Sequence, residues 1–329
     1  MAEIELSSAV ADRFVRLDWR ERAADPVIFD NGLLRHYEAG DIILLDHHPF
    51  RIDFDVLNRV SFPEGRAHQK LTDRFLVYPK LHRREIRRLF HSVFGFDVML
   101  YRRFRSEVKR LSHEVRSFAR SIAPSYRFLK QGVSWRFTRT GPEGLHVDYF
   151  RRAEDLHYLR VFINVDRQPR IWTVGPRLQD LIARYADAAG LREVAGGPSN
   201  QVCARLNKRV FDQINVQPRS AMDRHVVRFA PGDVWLCETR LNSHEIYSGH
   251  RLVATDFYVD PASMLDPSVR VDAHVDACLR GLPVPAVTAA AEIRALPSPS
   301  GGSGLRDVLG GCREDASAGV QDHRRGGSA

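Results

Sequence analysis

Short β-rich segments fill the chain from Gly132 onward and limit the folds that it can adopt. Gly, Pro, Asp and Asn separate these segments, as turn residues do between the strands of an antiparallel sandwich or barrel. The segments are VSWRFT, LHVDYF, YLRVFINV, RIWTV, HVVRFA, DVWLCET and RLVATDFYV. In the last of these, residues 252–259 alternate in the way that a strand with one buried face requires.

Helices are predicted before and between these strands. Residues 98–122 carry apolar side chains at spacings of three and four, with Arg and Glu on the opposite face, and Pro124 ends the pattern. The apolar positions are Val108, Leu111, Val115, Phe118 and Ile122. Pro176 is expected to open a second helix that stops at Gly190, and a third is expected at about 207–214. A short strand is expected at 42–45.

Composition narrows the classes of function. The net charge of +8 and the pI of about 9.6 favour an anionic partner such as an acidic substrate or an anionic membrane surface, although an arginine-rich genome explains the charge equally well. No nucleic-acid-binding motif is visible, so nucleic acid is not expected as a partner. Four scattered cysteines without a CxxC pair argue against a disulfide framework or a zinc site. We expect a cytoplasmic protein without a signal peptide or a membrane-spanning helix.

His146 and Asp148 form the sharpest local motif. Residues i and i+2 of a strand point to the same face, so this imidazole and this carboxylate can bind one metal ion. A hydrogen-bonded His–Asp pair without metal is the alternative. His244 lies 98 residues later, after the turn and strand of PGDVW, and we favour it over His250 as the third ligand. Two histidines and one carboxylate, leaving open positions, are typical of non-haem Fe(II) oxygenases. The expected cosubstrates are 2-oxoglutarate and O₂.

The two carboxylates of 2-oxoglutarate require cationic partners in the protein. Arginines within apolar strands are the natural candidates, with surface ion pairs as the alternative reading for each. The residues expected at the cosubstrate are Arg160, Arg170, Trp172, Arg136, Asn164 and Arg251. Asn164 lies on the same strand face as Arg160 and is expected to donate to the keto-acid end.

Five segments resemble the Kdo hydroxylases: LHVDYF, LRVFINV, PRIWTVG, FAPGDVW and SHEIYSGH. These are Fe(II)/2-oxoglutarate/O₂ enzymes that hydroxylate position 3 of 3-deoxy-D-manno-oct-2-ulosonic acid (Kdo) in the lipopolysaccharide inner core. YEAGDIILLDHHPF, APSYRFL and LNKRVFDQ extend the likeness to roughly residues 35–260. The resemblance implies His146, Asp148 and His244 as iron ligands, with Arg160, Arg170 and Trp172 near the cosubstrate. It also implies that His250 replaces the family's glutamine.

The resemblance also implies the architecture: an α+β chain with a double-stranded β-helix (jelly-roll/cupin-like) core and flanking helices. We expect an N-terminal extension at 1–30, the oxygenase domain at 31–285 and a disordered tail at 286–329. Further expectations are ascorbate as an additional cofactor, a lipid-linked or small-molecule sugar as substrate, and peripheral contact with an anionic inner membrane.

The segment after Asp148, Tyr149-Phe150-Arg151, departs from the family's Ala-Phe-Pro. This departure motivates an alternative substrate, a small amino acid or a natural-product intermediate. A metal-free β-barrel binding module and a cupin-like isomerase are the other readings.

Overall fold

A computed structural model describes most of the chain. The described residues are 1–62, 70–77, 91–138, 143–149, 156–218 and 221–282. The chain divides into two compact units, residues 1–298 and residues 299–329. The second unit and the predicted tail at 286–329 lie outside the described residues. Among the described helices, none has the length and apolar character needed to cross a membrane.

The described part of the chain contains eight α-helices and thirteen strands. The helices are α1 Pro26–Glu38, α2 Phe54–Asn58, α3 Asp73–Val77, α4 Val98–Ile122, α5 Leu178–Tyr185, α6 Ser199–Leu206, α7 Asp212–Ile214 and α8 Val271–Arg280. The strands are β1 Glu3–Glu5, β2 Phe14–Asp18, β3 Ile42–Asp46, β4 Leu71–Thr72, β5 Phe128–Phe137, β6 Glu143–His146, β7 His157–Leu159, β8 Val161–Asn164, β9 Arg170–Arg177, β10 His225–Phe229, β11 Val234–Leu236, β12 Asn242–Ser248 and β13 Arg251–Val259.

The strands form two sheets. The smaller sheet has the order β1-β10-β9-β12-β6, and the larger has the order β2-β3-β11-β8-β13-β5-β4, with β7 paired to β13. The pair β2–β3 is parallel, while the remaining pairs of described strands are antiparallel. The predicted α+β class with a jelly-roll core is confirmed.

An aromatic core contains residues of both sheets. Phe162 and Trp235 of the larger sheet contact Trp172 and Phe229 of the smaller one. Trp172 meets Trp235 edge to face at 5.3 Å between ring centroids, and Phe229 stacks on Trp235 at 3.8 Å. Because strand side chains alternate, Val161 on β8 lies in a different hydrophobic cluster. That cluster contains the apolar face of α4.

Helix α4 spans the predicted residues 98–122, and its five predicted apolar positions are buried. It begins at Asp97, whose side chain accepts a hydrogen bond from the Leu100 N–H and so satisfies one of the free donors of the first turn. The buried hydroxyl of Ser112 accepts from Trp135 Nε1 at 3.0 Å and ties the helix to β5. The helix therefore supports the larger sheet on the side away from the aromatic core.

Two of the predicted helices differ from the observed ones. Pro176 lies inside β9, and α5 begins two residues later at Leu178, because Asp180 accepts from the Arg177 N–H and caps the helix there. Gly190 follows this helix with φ +63°. The third helix begins earlier than predicted, at Ser199, and passes through a π-helical turn at Asn207–Phe211 before α7.

Residues 1–30, predicted as an extension, contribute strands to both sheets. Strand β1 pairs with β10 and β2 pairs with β3. The proposed boundary at residue 30 falls inside α1. The three-part division of the chain remains a prediction, since its last part is not described.

Candidate metal centre

Strands β6 and β12 bring three side chains to one point. The two strands pair antiparallel with His244 directly opposite His146, and their ring centroids are 4.5 Å apart. Asp148 follows β6, with its Oδ1 3.6 Å from His146 Nε2. One ligand atom from each of the three residues lies within 4.8 Å of the others. The grouping expected from the sequence is thus present as geometry.

Both imidazoles are held with the same nitrogen toward the shared space. His146 Nδ1 lies 2.7 Å from the Gly144 carbonyl, and His244 Nδ1 lies 3.1 Å from the Asn242 carbonyl. A carbonyl can only accept, so each Nδ1 carries a proton, and Nε2 is the ring nitrogen that faces the shared space. A hydrogen bond to the second ring nitrogen is the usual arrangement of a metal-binding histidine.

The Asp148 carboxylate is held by one oxygen. Its Oδ2 accepts from Thr239 Oγ1 at 2.5 Å and from Arg160 Nη1 at 3.1 Å. The Asp148 N–H also donates to the Thr239 carbonyl at 3.1 Å. The other oxygen, Oδ1, is the one directed toward His146. This division leaves Oδ1 for a metal ion and fixes the plane of the carboxylate.

The charge states of the three groups suit a divalent cation. Burial alone would raise the pKa of Asp148, but the hydrogen bond from His146 and the charge of Arg160 outweigh it and hold that pKa well below its usual range. Burial and the neighbouring His146 lower the pKa of His244 to about 4. Burial also lowers the pKa of His146, yet the Asp148 carboxylate overcomes this and leaves it raised. Asp148 is therefore ionised and His244 neutral at neutral pH.

Two asparagine side chains hold the outer edge of β6. Asn215 accepts from the Leu145 N–H at 2.8 Å and donates to the Leu145 carbonyl at 3.0 Å. Asn207 does the same for Val147, at 3.0 and 2.8 Å. His146 lies between these two clamped residues. Each amide reproduces the donor and acceptor pair of a neighbouring strand, so β6 has a partner on both edges.

Arg170 is a buried cation that forms no ion pair within the described part of the chain. Its side chain is 1% exposed, and none of its three guanidinium nitrogens has a hydrogen-bond partner among the described residues. Burial, together with repulsion from Arg136, lowers its pKa to about 9. Gly249 allows this position: its φ is +152°, and a Cβ there would come within 2.5 Å of Arg170 Nη1. A buried charge of this kind requires an anion.

Trp172 contacts the candidate ligand His244, and Arg136 lies close enough to Arg170 to lower its pKa. Trp172 stacks on the His244 ring at 5.1 Å with an interplanar angle of 24°. Its Nε1 is buried without a hydrogen-bond partner among the described residues. Arg136 Nη1 forms an ion pair of 2.7 Å with Glu143 Oε1. Trp172 thus fixes the plane of one histidine, while Arg136 is already partly neutralised.

Arg160 is a buried arginine that lies against Asp148. Its Nη1 contacts the Asp148 carboxylate and lies 3.9 Å from Asp256 Oδ1. Lys70 Nζ bonds the same Asp256 at 3.1 Å. Arg160 therefore touches the candidate metal ligand itself, in a chain of alternating charges that ends at the half-exposed Lys70. Its role as a cosubstrate residue remains a prediction.

The structure does not bring three further candidates to the site. The Asn164 amide donates to backbone carbonyls of the 229–230 turn and of Gln168. Arg251 donates to backbone carbonyls at Leu57, Asn58 and Val60. His250, the alternative third ligand, is exposed and is not part of the group. Both Asn164 and Arg251 hold loops together.

Comparison with known proteins supports the resemblance seen in the sequence. Residues 98–226 match the family model described as 3-deoxy-D-manno-oct-2-ulosonic acid (Kdo) hydroxylase. The suspected likeness to the Kdo hydroxylases is confirmed. No curated protein matches the sequence.

Solved structures of one Kdo hydroxylase, KdoO, share the fold. KdoO is described as a non-heme Fe(II) alphaketoglutarate dependent dioxygenase. The complex with succinate and Fe(III) aligns with a TM-score of 0.54 at 16% identity, covering 83% of this chain and 98% of that one. The cobalt(II) complex gives 0.56 at 15%, covering 86% and 100%. The complex with alphaketoglutarate and Fe(III) gives 0.55 at 15%, covering 85% and 100%.

The residues of this chain fit the groups that the Kdo hydroxylase likeness implies. Two imidazole Nε2 atoms and one carboxylate Oδ1 form a donor set suited to Fe(II). The buried guanidinium of Arg170 suits one carboxylate of 2-oxoglutarate.

Several supporting residues were missed in the sequence. Thr239, Asn207, Asn215 and Gly249 carry no motif, and each acts through a contact with a residue far away in the chain. Asn207 and Gly249 each gave one signal: they lie in LNKRVFDQ and SHEIYSGH, two segments of the family resemblance.

Proposed function

We propose that this chain is an Fe(II)/2-oxoglutarate-dependent dioxygenase that hydroxylates a Kdo sugar of the lipopolysaccharide inner core. One observation carries the proposal: strand β9 joins the candidate ligands to a buried cation. Its Trp172 stacks on His244 of the His146, Asp148 and His244 group, and its Arg170, two residues away, is buried with no hydrogen-bond partner for its guanidinium among the described residues. A metal-free binding module would require neither the three grouped metal ligands nor the buried guanidinium of Arg170. Both features cost folding stability unless a metal ion and an anion bind them.

The proposal gives each residue a role. His146, Asp148 and His244 would hold Fe(II), which supplies the activation of O₂ when bound. Arg170 would receive a carboxylate of 2-oxoglutarate through its planar fork. Trp172 would keep the His244 ring in place through stacking. Thr239 and Arg160 would hold the Asp148 carboxylate so that Oδ1 faces the iron.

Charge at the rim of the site favours an acidic substrate. Lys70 is half exposed, and contacts of 3.1, 3.9 and 3.1 Å link it through Asp256 and Arg160 to Asp148. Kdo is itself an acid, and the carboxylate of such a sugar could exchange with Asp256 at Lys70. The same proposal includes a cytoplasmic location with peripheral contact to an anionic inner membrane, where a lipid-linked Kdo would be met.

Succinate release tests the proposal. The full chain would be reconstituted anaerobically with Fe(II), then given O₂ and 2-oxoglutarate, with and without Kdo-lipid A and with and without ascorbate. We expect succinate in proportion to hydroxylated Kdo. The variants His244→Ala and His250→Ala are matched: the first should abolish turnover because it removes a ligand, and the second should leave it unchanged.

Two results would count against the proposal. Equal turnover in the two histidine variants would show that His244 is not a ligand. Succinate release that never depends on Kdo-lipid A, but does depend on a small amino acid, would keep the iron chemistry and reject the sugar substrate.

A further inference from the structure

An exposed apolar cluster precedes and begins helix α4, remote in sequence from the metal ligands. Phe96, Val98 and Met99 are 63%, 47% and 63% exposed. Large apolar side chains that stay together on a surface usually mark a place where something binds. None of the three is needed for the fit of α4 against the sheet, which uses the opposite face of the helix.

Positively charged side chains extend from Val98 along the same face of helix α4. Val98, Arg102, Arg105 and Lys109 are spaced by four, three and four residues, so they form one ridge over about 17 Å. All three cations are exposed. Within the described residues, Arg102 and Lys109 make no ion pair. The acidic residues between 96 and 113 are Asp97, which caps the helix and pairs with Arg59, and Glu107, which is buried against Arg110.

The turn before helix α4 exposes Phe96 and holds it in a strained backbone conformation. Phe96 has φ +68°, a left-handed conformation that bulky side chains rarely adopt. Its ring meets His91 edge to face at 4.1 Å, which supports the turn. Such a strained and exposed aromatic residue is more often found at functional surfaces than elsewhere.

We propose that this face docks the protein on an anionic lipid surface. The docking face consists of Phe96, Val98, Met99, Arg102, Arg105 and Lys109. Lipid phosphates would neutralise the cations, and the apolar side chains would insert below them. A second copy of the chain is a poorer occupant, because a two-fold contact would place like charges against each other. The inference deepens the proposed function, since a lipid-linked sugar lies on such a surface.

Vesicle co-sedimentation of the full chain tests the docking face without iron or turnover. Vesicles of phosphatidylcholine and phosphatidylglycerol would be compared with phosphatidylcholine alone. The double variant Arg102→Gln/Lys109→Gln should bind the anionic vesicles about 30-fold less tightly, the loss expected for two surface cations. The matched control, Lys208→Gln/Arg209→Gln, removes the same charges from an exposed turn elsewhere and should bind as the native protein does.

A fluorescent reporter tests the apolar part. Phe96→Trp should add an emission component that shifts to the blue on anionic vesicles and is quenched by brominated lipid. Equal binding of the two double variants, or an added emission in Phe96→Trp that never shifts, would overturn the docking face. So would a stable dimer that Met99→Ser disperses. Because succinate release from a water-soluble Kdo acceptor should be unchanged in Arg102→Gln/Lys109→Gln, failure here is separable from failure of the proposed function.

Discussion

At the scale of single residues, the hydrogen bonds to Asp148 Oδ2 leave the other carboxylate oxygen, Oδ1, available to bind a metal ion. Thr239 supplies both a hydroxyl donor and a backbone acceptor to Asp148. Replacing Thr239 by Val keeps the shape of the side chain and removes only the hydroxyl. We expect Thr239→Val to lower the affinity for Fe(II) by about tenfold or more, the usual effect of losing a group that orients a metal ligand.

The measurement for Thr239 is Fe(II) titration under anaerobic conditions, followed by the metal-to-ligand charge-transfer absorption that appears with 2-oxoglutarate. Thr239→Ser keeps the hydroxyl and should restore the affinity to within about twofold. If Ser and Val behave alike, the hydroxyl does not position Asp148.

Arg170 and Arg251 were both cosubstrate candidates in the sequence, and they allow a contrast between two arginines. Arg170→Lys keeps the charge but loses the planar fork, and the KM for 2-oxoglutarate should rise by about tenfold or more. Arg251→Lys should leave that KM unchanged and lower the Tm, because Arg251 holds backbone carbonyls of residues 57–60. Initial rates at varied 2-oxoglutarate measure the first effect. An unchanged KM in Arg170→Lys would place the cosubstrate elsewhere.

The sequence could predict His146 and Asp148 as a pair because residues i and i+2 of a strand share a face. It could add His244 because that residue follows the turn and strand of PGDVW and because the Kdo hydroxylase resemblance implies it. Without the family resemblance, strand patterning could not separate Arg170 from Asn164 and Arg251. A charge or an amide inside an apolar strand signals only that a partner exists. The partner of Asn164 is the 229–230 turn, which no spacing along the chain reveals.

At the scale of elements, β6 is a four-residue strand whose edge is completed by two asparagine side chains. Asn207→Leu would leave the N–H and carbonyl of Val147 without their partners, at a cost of roughly 1–3 kcal/mol for each group that stays buried. We expect a lower Tm together with weaker Fe(II) binding, because His146 is displaced. Asn58→Leu is the matched control: its amide also bonds backbone carbonyls, of Phe54 and Val165.

The Asn58→Leu variant should lose stability and keep its Fe(II) affinity once the folded fraction is taken into account. Differential scanning fluorimetry and metal titration on both variants separate the two effects. Equal loss of affinity in both would mean that Asn207 serves stability alone.

Helix α4 was predictable to the residue, and the π-helical turn at 207–211 was not. The apolar positions of α4 repeat at the helical period, so burial of one face dictates its length. The π turn widens the helix within the segment that contains Asn207, whose amide bonds Val147. Widened turns of this kind are commonly associated with functional sites. Because the turn positions a residue that contacts a distant part of the chain, it produces no periodic pattern in the sequence.

At the scale of the whole molecule, buried histidines tie stability to pH. His157 is buried beside Tyr126 and Glu238, and burial lowers its pKa to about 4 although the Glu238 charge opposes this. In the unfolded chain an ordinary histidine has a pKa of about 6.5. Between pH 6.5 and pH 4, His157 is protonated in the unfolded chain but neutral in the folded chain. The free energy of unfolding therefore falls as the pH falls.

This one group should remove roughly 3 kcal/mol of unfolding free energy between pH 7 and pH 4. Urea unfolding of the metal-free protein across that range would measure it, with chelator present throughout. His157→Gln does not titrate, so its stability should fall less steeply in that range than the stability of the native protein. Parallel curves for His157→Gln and the native protein would show that His157 is protonated equally in both states. The acid sensitivity would then come from the other buried histidines, such as His244 and His274, whose pKa values burial also lowers to about 4.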